Sequence, residues 1–100
     1  YAEEIVQTKV YILDINGLKK DLHPGTYTVG RGTEVDIQIQ DPGISRKHLS
    51  IQVDEKVVVT DLNSTNGTFL GNDRVMELVV EDTITFRVGV TEIRIVSENR

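Results

Sequence analysis

Five residues of this chain, Arg31, Ser45, Arg46, Thr65 and Asn66, are of the types that together hold an anion beside a peptide backbone. A guanidinium donates in a planar fork that matches phosphate oxygens. Serine and threonine hydroxyls supply further donors. An asparagine amide offers both donors and an acceptor, as pairing with a peptide backbone requires. A phosphoryl group on threonine would bring about −1.5 to −2 charges and three acceptor oxygens to such a set. Hydrogen bonds to charged groups contribute about 1.5–3 kcal/mol each. Three or four of them, less the cost of association, support micromolar binding. By spacing alone, Arg46-Lys47 at a strand entrance equally fits a solvated face, and NSTNGT a hairpin loop capped by its own side chains.

These residues sit in polar segments between apolar ones: VGRGT (29–33), DPGISRKH (41–48) and DLNSTNGTFL (61–70). A fourth segment, LGNDRV (70–75), reads as a plain hairpin turn on Gly71-Asn72. Gly30-Arg31-Gly32 is an isolated GxG with no helical pattern after it, so the dinucleotide and P-loop readings fail. Pro42-Gly43 fits a type II turn, with proline second and glycine third. Ser45 and His48 invite a nucleophile–base reading. Their spacing brings side chains together on a helix, however, and this segment enters a strand. No third group is marked out to orient the histidine. His48 is expected instead at the core edge, hydrogen-bonding its neighbouring loops. Asn63-Ser64-Thr65 and Asn66-Gly67-Thr68 match the N-glycosylation triplet, which carries little weight without a secretion signal.

Strands must position these loops. In HLSIQV and TITFRV, apolar and polar residues alternate with period two, and DIQIQ and TEIRIV repeat the pattern. KVYILDI (9–15) and KVVVT (56–60) carry apolar residues on both faces and predict more fully buried strands. Turn signals recur every 8–12 residues or less, among them Asn16-Gly17, Pro24-Gly25, Asn66-Gly67 and Gly89. No segment sustains a helical period. The expectation is an all-β sandwich of antiparallel sheets with its polar loops gathered at one end.

The chain has 100 residues, room for a single domain over 1–100. The core is expected over about 9–96, with polar ends YAEE and SENR that fray. There are no cysteines, and His23 and His48 stand apart, so neither a thiolate nor a histidine metal site is expected, and no cofactor. The formal charge of −5 lacks the basic excess of a nucleic-acid binder. No apolar run is long enough to span a membrane, and no leader pattern opens the chain. A cytoplasmic setting, or the cytosolic side of a membrane protein, is the expectation.

Taken in order, Gly30-Arg31, then Ser45-Arg46-Lys47-His48 as an S-x-x-H motif, then Ser64-Thr65-Asn66-Gly67-Thr68 as an N-G loop, then LGNDRV, the chain resembles the forkhead-associated (FHA) domain family. The resemblance covers about Lys9 to Val96. It implies an eleven-stranded β-sandwich that is not an enzyme and recognises phosphothreonine peptides through loops at one end. Arg31, Ser45, Arg46 and Thr65 then look like phosphate ligands, and Asn66 like the clamp on the peptide backbone. Gly30, His48 and Gly67 look architectural, and Lys47 supplies local positive potential. Where many members of the family carry Gly-Asp, this chain has Glu81-Asp82. The expected partner is a phosphothreonine-bearing protein, and the unit a monomeric part of a larger protein. The competing reading is a phospho-independent interaction or oligomerisation domain that uses a sheet face.

Overall fold

The structure is a computed structural model and describes residues 9–99. Eleven strands occur among them: β1 (Lys9–Ile15), β2 (Leu18–Leu22), β3 (Gly25–Gly30), β4 (Ile37–Gln38), β5 (Leu49–Val53), β6 (Val57–Asp61), β7 (Thr68–Leu70), β8 (Asp73–Val75), β9 (Glu77–Val80), β10 (Ile84–Val88) and β11 (Thr91–Asn99). They form a six-stranded sheet, β2-β1-β11-β10-β7-β8, facing a five-stranded sheet, β4-β3-β5-β6-β9.

The alternation becomes burial. Leu49, Ile51 and Val53 of β5 point inward, as do Phe86 and Val88 of β10 and Ile93 and Ile95 of β11. One face of each sheet therefore closes a single apolar core. β1 and β6 are less buried than their composition predicts. Val10, Ile12 and Val58 on their outer faces are only half-buried, because a two-layer sandwich has no third layer to cover them.

Three further features depart from expectation. Pairing is antiparallel throughout except between β3 and β4, which run parallel over two residue pairs. The predicted DIQIQ strand shrinks to Ile37–Gln38, since the chain then leaves the sheet to enter the 39–48 loop. β11 continues past Val96 to Asn99, with Ser97 opposite Tyr11 and both its amide and hydroxyl bonded to Asp82. The segment YAEE lies outside the described residues.

The register separates the two ends of the sandwich. Lys9 pairs with Asn99 at one end. At the other, Ile15 pairs with Ile93, Val88 with Thr91 and Thr68, and Leu49 with Val29 and Asp61. All the polar loops named above except the LGNDRV hairpin emerge there, together with the turns at Asn16-Gly17 and Gly89-Val90.

Candidate functional site

Two backbones lie against each other where β3 ends. The Arg31 amide donates to the Ser45 carbonyl at 3.0 Å and the Gly32 amide to the Arg46 carbonyl at 3.1 Å. The Arg31 Nε donates to the Ile44 carbonyl at 3.0 Å, which leaves the outer nitrogens of the guanidinium facing solvent. Gly30 makes this contact possible: a Cβ there would stand 2.0 Å from the Arg46 carbonyl oxygen. The GRG segment is thus a close-approach device rather than a flexible loop.

His48 ties this pair to the third loop. It is fully buried, and its Nδ1 accepts the Ser45 amide at 3.1 Å. The imidazole hydrogen is therefore on Nε2, which donates to the Gly67 carbonyl at 2.9 Å. Both ring nitrogens are committed to backbone. The Ser45 hydroxyl in turn accepts the Thr65 amide at 3.0 Å, so its own hydrogen remains available to an outside acceptor. That geometry is not the nucleophile–base contact that a hydrolase would need. The Asn66 Nδ2 donates one hydrogen to the Gly43 carbonyl at 3.0 Å, which leaves its second hydrogen and its Oδ1.

Two buried carboxylates brace the loops. Asp61, at the end of β6, accepts the Ser64 amide at 2.8 Å, the Ser64 hydroxyl at 2.6 Å and the Thr68 hydroxyl at 2.7 Å. Ser64 Oγ also accepts the Gly67 amide at 3.1 Å, so the loop closes around Asp61. From outside, Arg74 of β8 donates to the Ser64 carbonyl at 3.0 Å. Asp41 accepts the Thr91 hydroxyl at 2.7 Å, the Gly43 amide at 2.8 Å and the Val90 amide at 2.9 Å, which binds the 39–48 loop to the β10–β11 turn. Here the turn expected at Pro42-Gly43 is corrected. The reversal is where it was expected, with the Ile44 amide donating to the Asp41 carbonyl at 3.0 Å. Gly43, however, is not among the glycines of positive φ that a type II turn needs, and an Asx bond from the Gly43 amide to the Asp41 carboxylate accompanies the turn. Glycine is required there by space, since a Cβ would come within 2.9 Å of the Gly89 Cα.

Both acids titrate below the ordinary carboxylate value of 3.8. For Asp41 the chief cause is the Thr91 hydroxyl, followed by the Gly43 amide. For Asp61, burial pushes the value up, but the bonds from Ser64 and Thr68 together lower it further. A carboxylate with a depressed folded pKa contributes stability above its unfolded value, and that contribution is lost as the pH falls through the folded one. The urea midpoint should therefore hold above about pH 5 and fall below about pH 3.8, and Asp41→Asn with Asp61→Asn should flatten the fall. A parent midpoint unchanged at pH 3 would overturn this account.

The structure places all five candidate residues on loops of the same end, and all but half-buried Ser45 are exposed. Ser45 touches Thr65, and Arg31 and Gly32 touch the Ser45-Arg46 backbone. The two guanidiniums border different open clefts: Arg31 one with Gln40, Asp41 and Pro42, and Arg46 one with Gly32–Glu34 and Lys47. The 4.0 Å pair between Lys47 and Glu34 is exposed and contributes little. Sequence reasoning missed Asp41, Asp61, Thr68 and Arg74. The signal available was an acid directly before each loop's turn residues, at Asp41-Pro42-Gly43 and Asp61-Leu62-Asn63-Ser64.

Comparison with known proteins agrees with this geometry. The sequence matches the family described as the FHA domain over residues 27–89. It is 40% identical over 81 residues to the FHA domain-containing protein FhaA of Mycobacterium tuberculosis, a match that takes in 80% of this chain and 15% of that protein. The chain thus spans a small part of that relative. One similar structure comes from a structural and functional analysis of phosphothreonine-dependent FHA domain interactions, with a TM-score of 0.81, 34% identity, and coverage of 87% of this chain and 95% of that one. Another is the FhaA FHA domain complexed with the intracellular domain of Rv3910, with a TM-score of 0.78, 34% identity, and coverage of 88% and 99%. With its motifs on the expected loops and more than half its length matched, the chain belongs to the FHA domain family.

Proposed function

We propose that this chain is a binding module, not an enzyme, that recognises phosphothreonine in a partner protein and so makes a protein–protein contact depend on phosphorylation. The observation that carries the reading is the Ser45 hydroxyl. It accepts the Thr65 amide and so keeps its own hydrogen free to donate, between loops that also present the free end of the Arg31 guanidinium. Arg31, Ser45 and Thr65 are assigned to the phosphate, and Arg46 to its periphery, from the neighbouring cleft. Asn66, braced on Gly43, is assigned to the peptide backbone beside the phosphothreonine. His48, Gly30 and Gly67 hold the loops. In support, the analysis of a similar domain concerned phosphothreonine-dependent interactions.

The test is titration calorimetry of the chain with phosphothreonine peptides and their unphosphorylated counterparts. Phosphorylated members should bind in the micromolar range and the counterparts should not. Asn66→Ala should weaken binding by about tenfold, the worth of one or two hydrogen bonds. Binding that survives phosphatase treatment would favour the phospho-independent reading instead.

A further inference from the structure

The β1–β2 hairpin leaves one corner of the sandwich open. Asn16 and Gly17 both have positive φ, 53° and 86°, so the turn is tight and pairs Ile15 directly with Leu18. Partners in a ladder share a face, and alternation puts Leu18 and Lys20 on the side of Leu22, which is buried in the core. Leu18 thus belongs to the inner face of the six-stranded sheet, yet it is 79% exposed. The opposite sheet does not reach it, because its edge strand β4 has only two residues. Between the two edges lies a cleft of about 320 Å³ floored by Leu13, Ile15, Leu18, Ile37 and Ile39 and flanked by Lys19 and Lys20.

This cleft is joined to the loop end. Gln40 borders both it and the cleft that holds Arg31. The Gln38 side chain donates to the Arg31 carbonyl at 3.0 Å and the Ile39 amide to the Gly30 carbonyl at 2.8 Å, so the cleft wall is bonded to the residues that carry the guanidinium.

We infer that the cleft is a second subsite for the same ligand chain: the phosphopeptide continues from Arg31 past Pro42 and Gln40 and seats a large apolar side chain, flanked by acidic residues, against Leu18, Ile37 and Ile39. This rests on the reading of Arg31 as a phosphate ligand. Continuity with that site argues for the same chain as occupant, and Lys20, which opposes Leu13 on the same face as Leu18, selects acidic neighbours for its apolar anchor.

The experiment compares a short phosphothreonine peptide with versions extended on either side, in which leucine between aspartates is walked through each position. One extended version should bind about tenfold more tightly, as expected for burying one leucine. Leu18→Asp should abolish that gain and leave the short peptide's affinity unchanged. Leu18 is exposed, so this variant folds, and Lys20→Glu should remove part of the gain. If short and extended peptides bind alike at every position, the subsite does not exist. If no phosphorylated peptide binds at all, the underlying reading fails instead. A self-association broken by Leu18→Asp would mean that a second copy covers the cleft, and would overturn the proposal.

Discussion

Arg31→Ala should reduce affinity for a phosphothreonine peptide by about a hundredfold or more while leaving the fold intact. The guanidinium's Nε is anchored on the Ile44 carbonyl, so its terminal nitrogens reach the ligand already oriented. A fork of that kind makes two charge-assisted bonds at once. Losing both at about 1.5–3 kcal/mol each accounts for the size of the effect. The side chain is exposed, and its deletion removes one internal hydrogen bond, so the melting temperature should move by only a few degrees. Arg31→Lys keeps the charge and loses the fork, and should recover only a minor part of the affinity. Calorimetry alongside thermal melting separates these outcomes. An Arg31→Ala variant that binds as the parent does would remove the centre of the proposed site.

Gly30→Ala should act on fold and binding together, and more severely than alanine at any other glycine. The added carbon would stand 2.0 Å from the Arg46 carbonyl oxygen, 2.6 Å from its carbon and 2.9 Å from the Ser45 carbonyl oxygen. All three are backbone atoms and cannot rotate away. The two segments must part, which breaks the Arg31–Ser45 and Gly32–Arg46 bonds that register one loop on the other. Overpacking of this kind costs about 3 kcal/mol or more. Gly17→Ala is the contrast: nothing lies within 4 Å of its Cβ, and only its φ of +86° resists, worth about 1–2 kcal/mol. Urea unfolding of the two variants should rank them in that order, and phosphopeptide binding should vanish only for Gly30→Ala. Equal stability would mean that the loop contact is softer than its geometry.

Much of this was legible in the residues, for identifiable reasons. β5 and β10 announce themselves because a strand half-buried in a two-layer sandwich must alternate, and HLSIQV and TITFRV do. The five candidate residues stood out because turn chemistry alone does not explain two guanidiniums, two hydroxyls and an amide in three neighbouring loops. What supports them was less visible. Asp41 and Asp61 are written like surface acids, and only the fold reveals that Asp41 is bonded by Val90 and Thr91 from the distant β10–β11 turn and that Asp61 is enclosed by Ser64 and Thr68 of its own loop. Arg74 reads as a hairpin residue until β8 brings it against Ser64. The parallel β3–β4 contact rests on two residue pairs, too short for any periodic signal. The exposure of Leu18 has no signal in its own segment, since it depends on the short β4 of the other sheet.

The pairing of Lys9 with Asn99, far from the loops, gives the domain a mechanical polarity. β1 and β11 are neighbours, and their seven rungs run from Lys9–Asn99 to Ile15–Ile93. Drawing the two strand ends apart loads that ladder like a zip, one rung at a time, beginning at Lys9. Tension between a partner held on the loops and either strand end runs along the strands instead and loads the rungs together, in shear. The same hydrogen bonds therefore resist a pull on the bound partner far better than a pull that separates the ends of the domain.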